Sequence, residues 1–200
     1  MATKQLTIPM FPLNVVVLPG ETIKLHIFEE RYKQLINDCL QNEAHFGIPF
    51  SSNGKIKSSG VEVKIKKVLK VFDNGEMDIL VEGIRVFSIV EFSSILKPKL
   101  YGAAIIEYEE TTPRSISNNL HELAIEYLAL TQDKIVEYDS FKNSTVYNIA
   151  NLIQLSPKEK FQLISIRNLA QKELFLSNSF RQFIHIFEKE NELKGRFINN

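Results

Sequence analysis

The chain has 200 residues, 44% of them hydrophobic, enough for one large or two small domains with a buried core and too apolar for a disordered polypeptide. Its 24 basic residues balance 24 acidic ones, which excludes a global field drawing it to nucleic acid or an anionic membrane; such a partner would need a local patch. No run approaches the roughly 20 apolar residues that span a bilayer, the opening MATKQLT has no apolar segment of signal-peptide length, and the lone Cys39 makes neither a disulfide nor a zinc site by itself, so a cytoplasmic location is expected.

Ile8 to Leu13 reads as a buried strand, and Pro9 and Pro12 place it at a sheet edge or in an irregular crossing, because proline has no N–H for a ladder. Pro19-Gly20 sets a turn, proline fixing the first corner and glycine taking the second. From Thr22 to Phe28, Ile23, Leu25 and Ile27 alternate with Lys24 and His26, the pattern of a half-buried strand. Glu29 to Gln41 is the first helix. Tyr32, Leu35, Ile36, Cys39 and Leu40 share one face, and Glu29 and Glu30 suit the positive end of the helix dipole. Cys39 is expected to be a small buried hydrophobe, since nothing basic flanks it to make a thiolate.

A short apolar run, His45 to Phe50, leads into Ser51-Ser52-Asn53-Gly54 and Ser58-Ser59-Gly60, which read as a loop. Gly54-Lys55 is no phosphate-binding loop, for it lacks the glycine five positions earlier and a following Ser or Thr. Val61, Val63 and Ile65 alternate with Glu62 and Lys64, and the pattern slips after Lys66-Lys67 as a β-bulge would make it slip. Asp73-Asn74-Gly75 is a hairpin turn. Met77 to Phe92 is one long strand or two broken at Gly83, and Tyr101 to Tyr108 is a sixth.

Beyond Pro113 the spacing becomes helical, with Leu120, Leu123, Ala124, Tyr127 and Leu128 on one face and Val146, Ile149, Ala150 and Ile153 on another. Ser156-Pro157-Lys158-Glu159 is a capping box with proline at the first helical position. A last helix is expected over about 168–192, with a polar tail from Asn191 that frays. The fold class is therefore α+β: a β-rich, twisted or barrel-like part over 1–110 with one early helix, then a bundle of about four helices over 111–200.

Several segments together resemble the amino-terminal substrate-binding domain of the ATP-dependent Lon proteases. They are Pro12-Leu13, Val15-Val16-Val17, Pro19-Gly20, Phe28-Glu29 and Arg31-Tyr32 in the opening stretch, Val81-Glu82-Gly83 with Arg85, and the run from Asn148 to Ile164 with Lys160. The resemblance implies a PUA-like sheet subdomain followed by a helical one, and a non-enzymatic role in binding unfolded or damaged polypeptide or a protein partner. A separate protease is a further possible partner. No Walker A loop and no Ser-Lys peptidase dyad stand in this sequence, so cleavage by this chain unaided is not expected.

The residues themselves carry no catalytic, cofactor or metal constellation. His121-Glu122 begins like a zinc helix, but Ile125 occupies the second ligand position; His26, His45 and His185 are scattered, and no G-x-S-x-G elbow occurs. Asn143-Ser144-Thr145 is a glycosylation acceptor in pattern only. A polypeptide would be held by apolar contact in a groove and by strand addition at a free sheet edge. Phe11, Phe28 and Phe50 are the contact candidates, being large apolar residues beside irregular segments and so expected to stay partly exposed. The alternative is RNA binding through Lys64, Lys66, Lys67 and Lys70, disfavoured by the nearby Glu62, Asp73, Glu76 and Asp78, by the lack of an aromatic platform, and by the role of lysine in protecting strand edges.

Overall fold

A computed structural model of the protein describes residues 5–109, 116–132, 141 and 144–198. Six strands, β1 (Leu6–Met10), β2 (Thr22–Ile27), β3 (Phe46–Ser52), β4 (Lys55–Val71), β5 (Met77–Ser93) and β6 (Gly102–Tyr108), are joined by α1 (Glu30–Asn42) and followed by α2 (Asn118–Gln132), α3 (Val146–Ala150), α4 (Pro157–Ser165) and α5 (Leu169–Ile198). Two compact units result: 1–111 with 156–165, and 112–155 with 166–200. Thus α4 belongs with the sheet, whereas the sequence pattern assigns all of 111–200 to the helical part.

The strands run in the order β2-β5-β4-β3-β1-β6, and β6 also pairs with β5, which closes five of them into a barrel. The length of β5 makes this possible. Its first half, Met77 to Glu82, carries β2, while its second half, Phe87 to Ser93, carries β6. Gly83 lies between the two halves and does not break the strand. Three register shifts along β4, one of them at the expected Lys66, supply the bends a small closed barrel needs.

Two expectations give way here. β1 is no edge strand: it pairs along its whole length with β6 and reaches β3 only at Met10. The Phe11 and Leu13 amides donate to Gly47 and Pro49 of β3, so Pro9, of the same parity, turns its missing donor to that side before the pairing begins. Residues 51–60 are likewise no loop but the tip and first residues of the β3–β4 hairpin. Asn53 and Gly54 take consecutive left-handed conformations, φ 52° and 71°, the backbone of a tight two-residue turn. Asp73-Asn74-Gly75 closes the β4–β5 hairpin as expected, the Phe72 amide donating 2.9 Å to the Glu76 carbonyl.

The first unit has two apolar centres. Ile8, Met10, Phe87, Ala104 and Ile106 form one; the other joins Tyr32, Leu35, Ile36 and Cys39 of α1 to Phe46, Ile48, Val63, Ile79 and Val81 of the sheet. Each large side chain so buried is worth about 1.5–3 kcal/mol, which fixes α1 against the strands. Burial also pushes the Cys39 thiol up to about 11.

In the second unit Leu120, Ala124 and Leu128 of α2 and Leu176, Phe180 and Ile184 of α5 are buried, and Tyr127 meets Phe180 edge-on at 5.5 Å. Buried Lys172 donates to the Tyr147 hydroxyl. α5 stays helical through Ile198, where fraying is expected from residue 191. No helix among the described residues is long and apolar enough to cross a membrane.

Candidate functional site

The Leu18–Glu21 turn and the middle of β5 are pressed together. The Gly20 amide donates 2.9 Å to the Gly83 carbonyl, and the Gly83 amide donates 2.9 Å to the Glu21 carbonyl. A Cβ at Gly83 would lie 2.3 Å from the Leu18 carbonyl oxygen, so only glycine fits. The Glu21 carboxylate then accepts from the Leu18 amide at 2.9 Å and from Lys160 of α4 at 2.5 Å. The Ser156 capping box forms as expected, Ser156 N–H donating to Glu159 at 2.7 Å, and it starts α4 where Lys160 can reach the turn. Phe161, one residue on, stacks on Phe50 at 4.9 Å.

A different arrangement lies at the base of the β5–β6 connection. Pro12, Arg31, Tyr32, Ile56, Phe92 and Gly102 are among the residues around a shallow depression of about 130 Å3. Arg31 sits 4.5 Å over the Tyr32 ring and pairs with Glu29 at 2.8 Å. From its edge runs the segment 94–101, pinned to α1. Lys99 and the Tyr101 hydroxyl both donate to one Asp38 oxygen, each at 2.7 Å, and the Leu100 amide donates to Gln34 at 2.8 Å. The Lys99 ammonium, then the Tyr101 hydroxyl, hold the Asp38 carboxyl below the usual carboxylate range, against a smaller opposing effect of burial. Burial, and then the bond to Asp38, push the Tyr101 phenol up. Held in this way, the segment leaves Ile95 55% and Leu100 57% exposed, with Leu96 also in solvent.

Such a surface offers apolar contact on a backbone already ordered. Among the described residues there is no cluster of three or more metal-ligating side chains.

A sequence profile of the ATP-dependent protease La (LON) substrate-binding domain matches residues 7–173. The chain belongs to this Lon family. Among solved structures it is similar to a Lon N-terminal domain protein from Xanthomonas campestris, with a TM-score of 0.67 and 23% identity over 84% of this chain and 94% of that one. It is also similar to the N-terminal domain of the Mycobacterium avium complex Lon protease, with a TM-score of 0.63 and 17% identity over 88% of this chain and 98% of that one. At these identities the likeness is one of fold. No curated protein matches significantly.

Most of the positions that carry the resemblance to the Lon domain fall into two physical sets. Pro19, Gly20, Gly83 and Lys160 build the clamp at the turn, while Pro12, Arg31 and Tyr32 line the depression and Glu29 holds Arg31. Leu13 joins β1 to β3, its carbonyl accepting from Ser51 at 2.7 Å. Glu82 pairs with Lys64 at 3.0 Å and Lys66 at 3.5 Å.

Of the three phenylalanines proposed as contacts, Phe11 and Phe50 are buried, which corrects the expectation that they stay partly exposed. The Phe11 and Tyr32 rings meet tilted by 32° with centroids 4.0 Å apart, and Phe50 is covered by Phe161. Phe28 is 60% exposed, beside His26 at the end of β2. In the lysine-rich strand Lys64 and Lys66 share the one Glu82 carboxylate, and Lys70 lies over the Phe72 ring at 4.2 Å. Sequence reasoning missed Ile95, Leu96 and Leu100. The available signal was three large apolar residues in a proline- and lysine-containing segment, SSILKPKLYG, that keeps neither the strand nor the helix period.

Proposed function

We propose that this Lon domain is a non-enzymatic binding module that holds unfolded or damaged polypeptide by its apolar side chains, in the cytoplasm, for a separate protease to act on. The observation that supports this reading is the β5–β6 segment, which exposes Ile95, Leu96 and Leu100 while Asp38 and Gln34 fix its backbone. Ordering an apolar surface beforehand removes part of the entropic cost of association, so exposed segments of a client gain affinity there. Family membership supports a substrate-binding role in the same direction.

The test is binding of the purified protein to a reduced, carboxymethylated model polypeptide and to its native form, without nucleotide, with short single-stranded RNA as control. Preference for the unfolded chain, little affected by salt and lost in the double variant Ile95→Ser, Leu100→Ser, is the expected result. Equal binding of native and unfolded forms, or retention in the double variant, overturns it. Retention of RNA alone, with a steep salt dependence, would transfer the function to the lysine-rich hairpin.

A further inference from the structure

Among the described residues two sheet edges stay open beyond the barrel, and they are unequally defended. The outer edge of β4 beyond Val63, past its last pairing with β3, carries Lys64, Lys66, Lys67 and Lys70 and has two register shifts, at Ile65/Lys67 and Val68/Lys70. Lysines and bulges are what keeps an edge from accepting another strand. β2 has neither bulge nor proline, and among the described residues it pairs with β5 alone. Its one lysine, Lys24, is turned back across β5 to Asp78 at 2.7 Å, and His26 is turned the same way, to Asp78 at 2.8 Å.

The parity of this edge follows from its first bond. The Gly83 amide donates to the Glu21 carbonyl, so the odd residues Ile23, Leu25 and Ile27 face β5 with their backbone groups, and those of Thr22, Lys24 and His26 point outward. On the side-chain faces, Ile23 and Leu25 are half-buried against the main apolar centre while Lys24 and His26 lie in solvent. Exposed Phe28 stands at the end of the row.

We propose that β2 receives an extended client segment as an added strand. This rests on the polypeptide-binding reading above and names a mode of binding and a substrate class: a segment with apolar residues at alternate positions, which extend the half-buried row of Ile23 and Leu25, and with uncharged polar residues between them on the face where Lys24 is already paired with Asp78. Three outward residues give the backbone bonds, and the alternation selects the sequence.

The probe is a short peptide of alternating valine and threonine, with two versions N-methylated at alternate amides of opposite parity, each added to the full-length protein. Only one parity faces β2 in an added strand, so one methylated version should lose about tenfold or more in affinity, worth ~1.4 kcal/mol, while the other binds like the parent. Amide hydrogen exchange should slow at Thr22, Lys24 and His26 on binding. Equal binding of both methylated versions, or protection confined to the β5–β6 segment, overturns strand addition and leaves the polypeptide-binding reading standing. Failure of the parent peptide and of the carboxymethylated polypeptide together overturns both.

Discussion

The Pro19-Gly20 turn and the β5–β6 segment are held by the same device, used to opposite ends. In each, one carboxylate takes a lysine and a second donor: Glu21 takes Lys160 and the Leu18 amide, Asp38 takes Lys99 and the Tyr101 hydroxyl. At the turn the device draws Leu18 out of solvent completely and presses backbone on backbone at Gly83. At the segment it anchors the chain by polar groups and leaves Ile95, Leu96 and Leu100 outside. A polar clamp therefore does not by itself mark a stabilising contact or a functional one; what decides is where the neighbouring apolar side chains go.

Substitutions can separate the two uses. The largest effect is expected at Gly83→Ala, where the new methyl meets the Leu18 carbonyl at 2.3 Å; about 3 kcal/mol of stability should be lost, seen as a lower urea midpoint. An unchanged midpoint would mean that the turn yields freely, which breaks the contrast. Lys160→Met leaves the partly buried Glu21 carboxylate short of a partner and should cost about 1–3 kcal/mol in the same assay.

Asp38→Asn should act mainly on the segment, costing about 1 kcal/mol or less overall while the Leu96 and Lys99 amides exchange faster and polypeptide affinity falls. Its pH dependence has a definite sign. The folded-state carboxyl lies below its ordinary value, so its contribution is complete above the usual carboxylate range and is lost as pH falls through the depressed one. Acid-side exchange measurements on the wild type should show the segment loosening there, and the Asn variant should be flat over the same window. Least disturbing to stability is Ile95→Ser with Leu100→Ser, expected within about 0.5 kcal/mol of the wild type because both are more than half exposed, yet abolishing selective binding of the unfolded chain.

Local periodicity made much of this architecture legible. The apolar face of α1, the alternation in β2, the slip at Lys66 and the Ser156 capping box all follow from rules acting within a few residues, and each is found where those rules place it except Leu40, expected on the α1 face but exposed. What escaped was set by distant partners. Pro9 reads as an edge residue until β6 supplies its ladder and the late start of the β3 pairing excuses its missing donor. Phe50 reads as exposed until Phe161, far along the chain, covers it. Asn53-Gly54 is a different case, a hairpin signal present in the sequence but submerged among serines. The exposed residues of the β5–β6 segment needed the bonds to Asp38 before their position could be read at all.

The burial of Cys39 gives the molecule a reporter of its own motion. It is the single thiol of the chain, and with its titration pushed to about 11 it stays protonated and unreactive at neutral pH while α1 is seated. Alkylation at that one atom requires its exposure, by opening of α1 or by global unfolding, so the labelling rate follows the population of opened molecules with no introduced probe.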